Sequence, residues 1–185
     1  MGRIFAAVIL FNLTFAGLQA VAQTGDRYPI ITFKSPDKIE LVDGDTLWIG
    51  IHQVRLQGID AVEPDQSCLK AGAAFDCHRA GMNYLATLTS RNGFRCEVKT
   101  GKDGKPAMSY GRYVATCYAG QIEINRAMVA AGWALPANTQ AGDPYRKTEA
   151  DAMKLRAGLH ALSYEKPWAW RKKKNGDNCS CEDED

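Results

Sequence analysis

Three carboxylates lie between residues 45 and 63, around two segments that have the composition of β-strands. Asp45 ends an Asp-Gly-Asp turn before the segment 46–51, and Asp60 and Glu63 follow the segment 53–59. If these segments pair antiparallel, Asp45 and Asp60 meet at the same end. Two converging carboxylates without His or Cys suit a hard cation such as Ca²⁺, with carbonyl and water oxygens completing the shell. Glu63 is then free to act as a general base.

Two arginines have the chemistry needed to bind phosphate oxygens. Arg55 lies in the segment 53–59, on the face opposite Val54 and Leu56, and Arg112 ends a Tyr-Gly-Arg sequence. A guanidinium presents a planar fork that matches phosphate in a bidentate manner. Each residue alone has an ordinary interpretation, since Asp-Gly-Asp is commonly a plain turn and Arg is mostly a surface residue. The joint pattern is what indicates a catalytic site.

The pattern of strand-like and helical segments around these residues predicts an α+β protein, mainly a β-barrel with helices. The chain of 185 residues is 45% hydrophobic and 24% charged, which is typical of one globular domain and excludes a disordered chain. Only short turns separate the first strands, which argues against a doubly wound parallel sheet. A small closed antiparallel barrel, of the OB type with five strands and about three flanking helices, is expected instead. Strands or strand-like runs are predicted at 46–51, 53–59, 94–99 and 112–118, and the segments 29–34 and 38–42 are extended and apolar.

Three helices are predicted from apolar periodicity and from their end signals. The first spans Ala71 to Ser90, and a short second helix is ended by Gly132. The third follows the Asp143-Pro144 pair, stops at Gly158 and turns four side chains inward. These four are Tyr145, Thr148, Ala152 and Leu155.

The two ends of the chain are predicted to lie outside the folded domain. Residues 1–22 have one positive residue, an apolar run and a small-x-small end at Ala20 and Ala22, the pattern of a cleaved secretory signal. A retained anchor is the alternative. Residues 23–165 form the barrel domain, and residues 166–185 a charged, flexible tail. The basic run 171–174 in this tail is interpreted as solvated, or alternatively as a patch for a polyanion. The protein is therefore expected to be secreted or periplasmic, without stable membrane association, and monomeric.

Six cysteines in an exported chain favour disulfides over free thiols. Cys96 and Cys117 lie on two strand-like runs about equally far from the connection between them, so a hairpin would place them opposite each other. Cys68 and Cys77 would close a short loop. Cys179 and Cys181 are left to pair with each other or to stay free. Zinc is the competing interpretation, but no Cys-x-x-Cys pair exists.

The motifs together resemble the staphylococcal nuclease (thermonuclease) family, in order and over residues 37–160. The matching segments are Asp43-Gly44-Asp45-Thr46, Arg55-Leu56, Gly58-Ile59-Asp60-Ala61-x-Glu63, Tyr110-Gly111-Arg112, Ile124-Asn125-x-x-Met128-Val129-x-x-Gly132-x-Ala134 and Tyr145-Arg146-x-x-Glu149-Ala150-x-Ala152. The resemblance implies an OB-type barrel and an endonuclease that hydrolyses phosphodiester bonds of DNA and RNA with Ca²⁺ as cofactor, leaving 3′-phosphates.

The resemblance also implies a role for each matching residue. Asp45, Asp60 and the carbonyl of Ala61 would be the calcium ligands, and Glu63 the general base. The phosphate-binding pair would be Arg55 and Arg112, and Tyr110 would lie near the bound nucleotide.

Three positions depart from the family pattern. Val62 replaces a proline between metal ligand and base, which is expected to loosen this loop and could shift Glu63. Ser109 replaces a lysine that often precedes the Tyr-Gly-Arg sequence, and His160 replaces a tryptophan. No catalytic side chain is lost. Two alternatives stay open: a non-catalytic barrel module that binds nucleic acid or another polyanion, and a cell-surface structural protein held by an uncleaved leader.

Overall fold

The structure is a computed structural model that describes residues 31–34, 38–137 and 143–176. The predicted leader of residues 1–22, Cys179, Cys181 and the acidic end of the chain lie outside the described residues. Within the described residues, no helix combines the length and the apolar character that a membrane span requires.

Short strands and four α-helices make up the described part of the chain. The first strands are β1 (Thr32–Lys34), β2 (Ile39–Leu41), β3 (Thr46–Ile49), β4 (His52–Leu56), β5 (Ile59–Ala61), β6 (Cys68–Lys70) and β7 (Ala73–Phe75). The later strands are β8 (Phe94–Val98), β9 (Met108–Ser109), β10 (Arg112–Ala119), β11 (Ile122–Glu123) and β12 (Ala134–Pro136). The helices are α1 (Cys77–Thr89), α2 (Ile124–Ala130), α3 (Arg146–Lys154) and α4 (Pro167–Gly176), with a 3₁₀ turn at Gly158–Ala161.

The main sheet is curled, in the strand order β1-β8-β10-β4-β3-β2. Helices accompany this half-barrel, so the predicted α+β class with an OB-like fold is confirmed. One pairing differs from the expected all-antiparallel barrel, because β10 runs parallel to β4, with Val114 beside Arg55. The long connection through α1 and β8 makes this possible, since a parallel neighbour requires a crossover rather than a tight turn.

The first helix begins six residues later than predicted. Ala71 and Gly72 have φ angles of 50° and 85°, which no α-helix allows, and they form the turn of the hairpin β6–β7. The helix starts instead after Asp76, whose carboxylate accepts a hydrogen bond from the Arg79 N–H over 2.8 Å. The apolar periodicity of 71–90 did not reveal this break.

The third helix also differs from its prediction at both ends. Asp143 accepts a hydrogen bond from the Tyr145 N–H over 2.7 Å, and the helix begins at Arg146. Tyr145 and Ala152 are buried as expected, but Leu155 is 79% exposed because the helix has ended before it. Arg156 then turns the chain with a φ of 53°.

Two groups of buried side chains stabilise the fold. The barrel core lies between the main sheet and helices α1 and α2, and its fully buried members include Leu47, Val54, Leu85, Cys96 and Met128. The second core cluster is smaller and consists of Val62, Cys68, Cys77, Leu135 and Leu159, with the partly buried Trp168 packed against it. Each cluster contains one disulfide, and both pairings agree with those expected from the sequence, Cys96–Cys117 and Cys68–Cys77.

Asn125 fastens helix α2 to the sheet from a fully buried position. Its Oδ1 accepts a hydrogen bond from the Cys117 N–H, and its Nδ2 donates to the carbonyls of Gln57 and Ala115. A buried amide with all these partners satisfied is stable, and its bond to Gln57 fixes the turn that precedes β5, the strand that carries Asp60.

The segment that was expected to be a flexible tail contains helix α4. Pro167 is buried at its start, which suits a residue with a fixed φ and no N–H to satisfy. Trp168 packs on the second core cluster. This apolar anchor is the physical reason that the basic run 171–174 belongs to a helix and not to an irregular tail.

Candidate active site

Arg55 joins the two buried aspartates at the end of the β3–β4 pair. Its Nη1 donates to Asp45 Oδ1 over 2.9 Å and its Nη2 to Asp60 Oδ1 over 3.3 Å. The two carboxylates are only 5% and 4% exposed. The antiparallel pairing expected from the sequence is present, with Arg55 opposite Thr46, and it brings Asp45 and Asp60 to one place.

The backbone holds Asp45 against strand β5. Its side-chain Oδ2 accepts a hydrogen bond from the Ala61 N–H over 3.2 Å, and its carbonyl accepts one from the Leu56 N–H over 2.7 Å. Gly44 makes this approach possible, because a Cβ at that position would lie 2.6 Å from the Cβ of Ala61. The Asp-Gly-Asp sequence is therefore more than a turn signal, since its glycine lets the turn lie on β5.

Burial has a strong effect on the protonation of Asp45. Loss of solvation raises the pKa of this carboxyl to about 7, and the positive charge of Arg55 acts in the opposite direction. Asp43 raises the pKa further, whereas the hydrogen bonds from Thr46 and Ala61 lower it. A positive charge close to a buried carboxylate stabilises its ionised form, and a bound cation would supply such a charge.

Arg112 is connected to the aspartates through a buried hydroxyl. Its Nη1 contacts Thr46 Oγ1 over 3.3 Å, and the same hydroxyl donates to Asp45 Oδ1 over 2.9 Å. The Arg112 Nε donates to the carbonyl of Ser109 over 3.4 Å. Tyr110, beside it, has a φ of 49° and is 96% exposed, so its ring is available at the mouth of the site.

Glu63 lies in a loop that is held in place without the proline of the family pattern. Its N–H donates to Gln66 Oε1 over 3.2 Å, and its carbonyl accepts from the Gln66 N–H over 3.0 Å. Val62 is 2% exposed in the second core cluster, and its carbonyl lies 3.2 Å from His78 Nδ1. The expected loosening of this loop is therefore offset by packing and by hydrogen bonds.

Arg171 of helix α4 reaches into the same site. Its Nη1 donates to Asp60 Oδ1 over 3.0 Å and to Glu63 Oε1 over 2.6 Å, and its Nη2 donates to Asp60 Oδ2 over 2.8 Å. Its side chain is 39% exposed. Because Arg171 follows Trp168 by three residues, both lie on the same face of the helix. The contact between Trp168 and the second core cluster thus directs Arg171 towards the carboxylates.

A cavity of about 590 Å³ lies at this site. Its wall includes three arginines, Arg55, Arg112 and Arg171, and the acidic residues Asp43, Asp45 and Glu63, with Tyr110 at the edge. The cavity therefore presents three guanidinium groups beside buried carboxylates. Such a combination can bind an anionic group and act on it with a base.

The donors fit a hard cation by their chemistry. Asp45 and Asp60 offer carboxylate oxygens within the span of one guanidinium, and calcium is bound by such oxygens together with carbonyls and waters. Among the described residues, no group of three or more His, Cys, Asp or Glu side chains is arranged to hold a metal ion. The site therefore suits a cation that is bound by the two carboxylates of Asp45 and Asp60. Glu63 is not one of its side-chain ligands.

The structure brings together the residues that the sequence singled out, and it adds three more. Asp45, Arg55, Asp60, Ala61, Glu63, Tyr110 and Arg112 all line the cavity or contact a residue that does. Sequence reasoning missed Thr46 as the link between Arg112 and Asp45, and Gln66 as the support of Glu63. It also missed Arg171, although a proline at a helix start followed by Trp168 and Trp170 was a usable helix signal.

Comparisons with known proteins identify the family of this chain. The family model described as "Staphylococcal nuclease homologue" matches residues 53–161, which include Arg55, Asp60, Glu63 and Arg112. The "Succinoglycan biosynthesis protein ExoI" of Rhizobium meliloti (strain 1021) is 30% identical to this chain over 157 residues, which are 83% of this chain and 76% of that protein. The chain is a member of the staphylococcal nuclease homologue family.

Proposed function

We propose that this protein is an exported, calcium-dependent endonuclease that hydrolyses phosphodiester bonds in DNA and RNA and leaves 3′-phosphates. Family membership supports a nuclease-type or nucleic-acid-related role. One observation carries the finer proposal: Arg55 joins Asp45 and Asp60 within 3.3 Å, in a cavity that also contains Glu63 and Arg112. A protein that only binds a polyanion has no need for buried carboxylates and a base beside its arginines.

Asp45, Asp60 and the carbonyl of Ala61 are the groups proposed to hold calcium. When bound there, calcium would offset the charge of the phosphodiester and of its more highly charged transition state. The hydrogen bonds of Asp45 to Thr46 and Ala61 keep one carboxylate oriented before substrate arrives. This preorganisation lowers the cost of reaching the reactive geometry.

Arg55 and Arg112 are the proposed phosphate-binding groups. Each guanidinium donates in one plane, so the two can bind different oxygens of one phosphate. Thr46 connects them through Asp45, since it contacts Arg112 and donates to the carboxylate that binds Arg55. Tyr110 is exposed beside Arg112 and offers a ring to the neighbouring nucleotide.

Glu63 is the proposed general base. Its carboxylate takes a proton from a water molecule that attacks phosphorus. The bond from phosphorus to the 5′-oxygen breaks, this oxygen takes up a proton from solvent water to become a hydroxyl, and the phosphate stays on the 3′ side. General base catalysis of this kind is worth typically 10²–10⁴-fold in rate. The contacts of Gln66 with the Glu63 backbone support this role, because a base must be held within hydrogen-bond reach of the water.

A second candidate is a non-catalytic barrel module that binds nucleic acid or another polyanion. It is favoured by Arg171, which occupies oxygens of Asp60 and Glu63 that catalysis needs. The relative from Rhizobium meliloti is also named for succinoglycan biosynthesis and not for hydrolysis of nucleic acid. In this candidate the arginines of the cavity bind anions, and the carboxylates serve only to orient them.

Digestion of plasmid and single-stranded DNA by the full chain separates the two candidates. Cleavage is expected with millimolar calcium and not with a chelator, and Glu63→Gln is expected to lose activity by about 10²–10⁴-fold while keeping its fold. Glu40→Gln is the matched control, because Glu40 is an exposed carboxylate of β2 that pairs with Lys38. DNA binding without cleavage in any divalent metal would instead support the binding module.

A further inference from the structure

Helix α4 places a positive charge directly on the carboxylates of the site. Arg171 donates to both oxygens of Asp60, and it also donates to Oε1 of Glu63. Asp60 Oδ1 is shared with Arg55 at 3.3 Å. Both oxygens of this buried carboxylate are thus already bound to cationic groups of the protein.

A divalent cation cannot join this arrangement without displacing Arg171. Calcium binds carboxylate oxygens at about 2.3–2.6 Å, where it would meet the guanidinium that already lies 2.8–3.0 Å from the same oxygens. The two positive groups repel strongly at such short range in a partly buried site. Arg171 also takes an oxygen that Glu63 would use to accept a proton.

The helix that carries Arg171 is anchored at one end only. Pro167 is buried and Trp168 packs on the second core cluster, whereas residues 172–176 are exposed. Helix α4 also forms an ion pair between Lys174 and Asp65, and both partners are about half exposed. Exposed pairs of this type contribute little, so the site end of the helix is held mainly by Arg171 itself.

We propose that Arg171 and a divalent cation compete for Asp60, so that α4 is an internal inhibitor whose release sets the cation requirement of the protein. This inference rests on the proposed function in one respect, namely that a cation binds at Asp45 and Asp60. The closed state has Arg171 on Asp60 and Glu63. The open state frees Glu63 and Oδ2 of Asp60, while the barrel keeps its structure and Arg55 keeps its contact with Asp60 Oδ1.

Calcium titration of the full chain by isothermal titration calorimetry tests the competition. We expect Arg171→Ala to bind calcium about tenfold more tightly than the wild type, because the apparent affinity is reduced by the fraction of molecules in the closed state. Lys172→Ala is the matched control, since it removes one positive charge from the next, exposed position of α4 and is expected to leave the affinity unchanged. Equal or weaker binding by Arg171→Ala, or no calcium binding by any variant, would overturn the proposal.

Amide hydrogen exchange of the wild type gives a second measurement that needs no substitution. Saturating calcium is expected to speed exchange in residues 167–176 and to leave strands β8 and β10 unchanged. Unchanged or slower exchange in α4 at saturating calcium would contradict the competition. This measurement also decides the matter if Arg171→Ala fails to fold, as judged by its circular dichroism.

These measurements can refute the competition and the proposed function independently of each other. Tighter calcium binding by Arg171→Ala without cleavage of DNA by any variant would sustain the competition and refute the nuclease. Calcium-dependent cleavage that requires Glu63, with equal calcium affinity in wild type and Arg171→Ala, would sustain the nuclease and refute the competition.

Discussion

Arg55 and Arg171 make the same kind of contact from two different regions of the molecule. Each guanidinium binds two carboxylates, and they share Asp60. Arg55 lies within strand β4 of the barrel, and its side chain is 23% exposed. Arg171 lies on the terminal helix of the described chain and is 39% exposed. From this difference we expect the ion pairs of Arg171 to open more readily than those of Arg55.

The difference follows from the two groups of buried side chains. Arg55 stands between Val54 and Leu56, both fully buried in the barrel core, and its strand pairs on both sides with β3 and β10. The backbone of Arg55 therefore cannot shift without disturbing the pairing of β4 with β3 or β10. Helix α4 instead depends on Pro167, Trp168 and the small second core cluster. Regions with few buried contacts open at lower free energy than the core, so Arg171 can leave while the barrel stays folded.

The strongest change is expected in the turnover of a variant of Arg55. Arg55→Lys should reduce turnover on DNA by about 10³-fold, roughly 4 kcal/mol in the barrier, because an ammonium cannot bind Asp45, Asp60 and phosphate with a planar fork. Arg171→Lys should keep at least wild-type turnover at saturating calcium. Steady-state kinetics of both variants checks this, and wild-type rates for Arg55→Lys would contradict the role of its bidentate geometry.

The two disulfides give the next effect, on stability. Replacement of Cys96 and Cys117 by Ala should lower the free energy of unfolding by about 2–4 kcal/mol, since this bridge spans 21 residues of the barrel core. Denaturant titration with and without reductant measures it. An unchanged midpoint in reductant would count against the bridge.

The pair Cys68–Cys77 provides the contrast, because it closes nine residues in the second core cluster. Its replacement by two alanines should speed amide exchange in α4 more than exchange in β8. Equal effects on both regions would show that the two clusters do not behave as separate units.

Trp168→Ala should have a smaller effect, confined to the side of α4. Loss of its packing on the second core cluster should weaken the closed position of Arg171 and tighten calcium binding several-fold, with a stability loss of about 1 kcal/mol. Calcium titration together with thermal unfolding measures both. Ile51→Ala is the control, because Ile51 is 84% exposed on the opposite turn of the barrel. Unchanged calcium affinity in Trp168→Ala would argue that the tryptophan does not hold the helix.

The smallest expected effect concerns His160, which lies in the 3₁₀ turn between α3 and α4. Burial lowers the pKa of His160, and its Nε2 is buried without a hydrogen-bond partner among the described residues. Below pH about 6.5 the His160 ring is therefore protonated more readily in the unfolded chain than in the folded protein. The free energy of unfolding consequently decreases as the pH falls. His160→Phe should reduce this loss by a few tenths of a kcal/mol, since the ring is only partly buried. Unfolding at pH 7.5 and pH 5 measures it, and parallel losses in both proteins would exclude His160 as the cause.

Local sequence patterns predicted those parts of the fold that depend on neighbours in the chain. The alternation of 53–59 placed Val54 and Leu56 on one face and Arg55 on the opposite face, as in the structure, although the strand ends at Leu56 and a new one begins at Ile59. The hairpin of β8 and β10 with Cys96 opposite Cys117 was also predictable, because its two strands lie at equal distances from their connection. Periodicity failed at residues 71–76, where a hairpin and a disulfide override the helical pattern.

The sequence was enough to predict which side chains meet at the site, because Asp45, Arg55, Asp60 and Glu63 lie close along the chain on elements whose pairing follows from short turns. The sequence did not reveal which positive side chains pair with these carboxylates, because that depends on the tertiary structure. Arg171 is separated by 111 residues from Asp60, and its approach depends on the packing of Trp168 on side chains from other segments. Packing between distant segments has no local signature, so the contact that distinguishes this site is visible only in the folded chain.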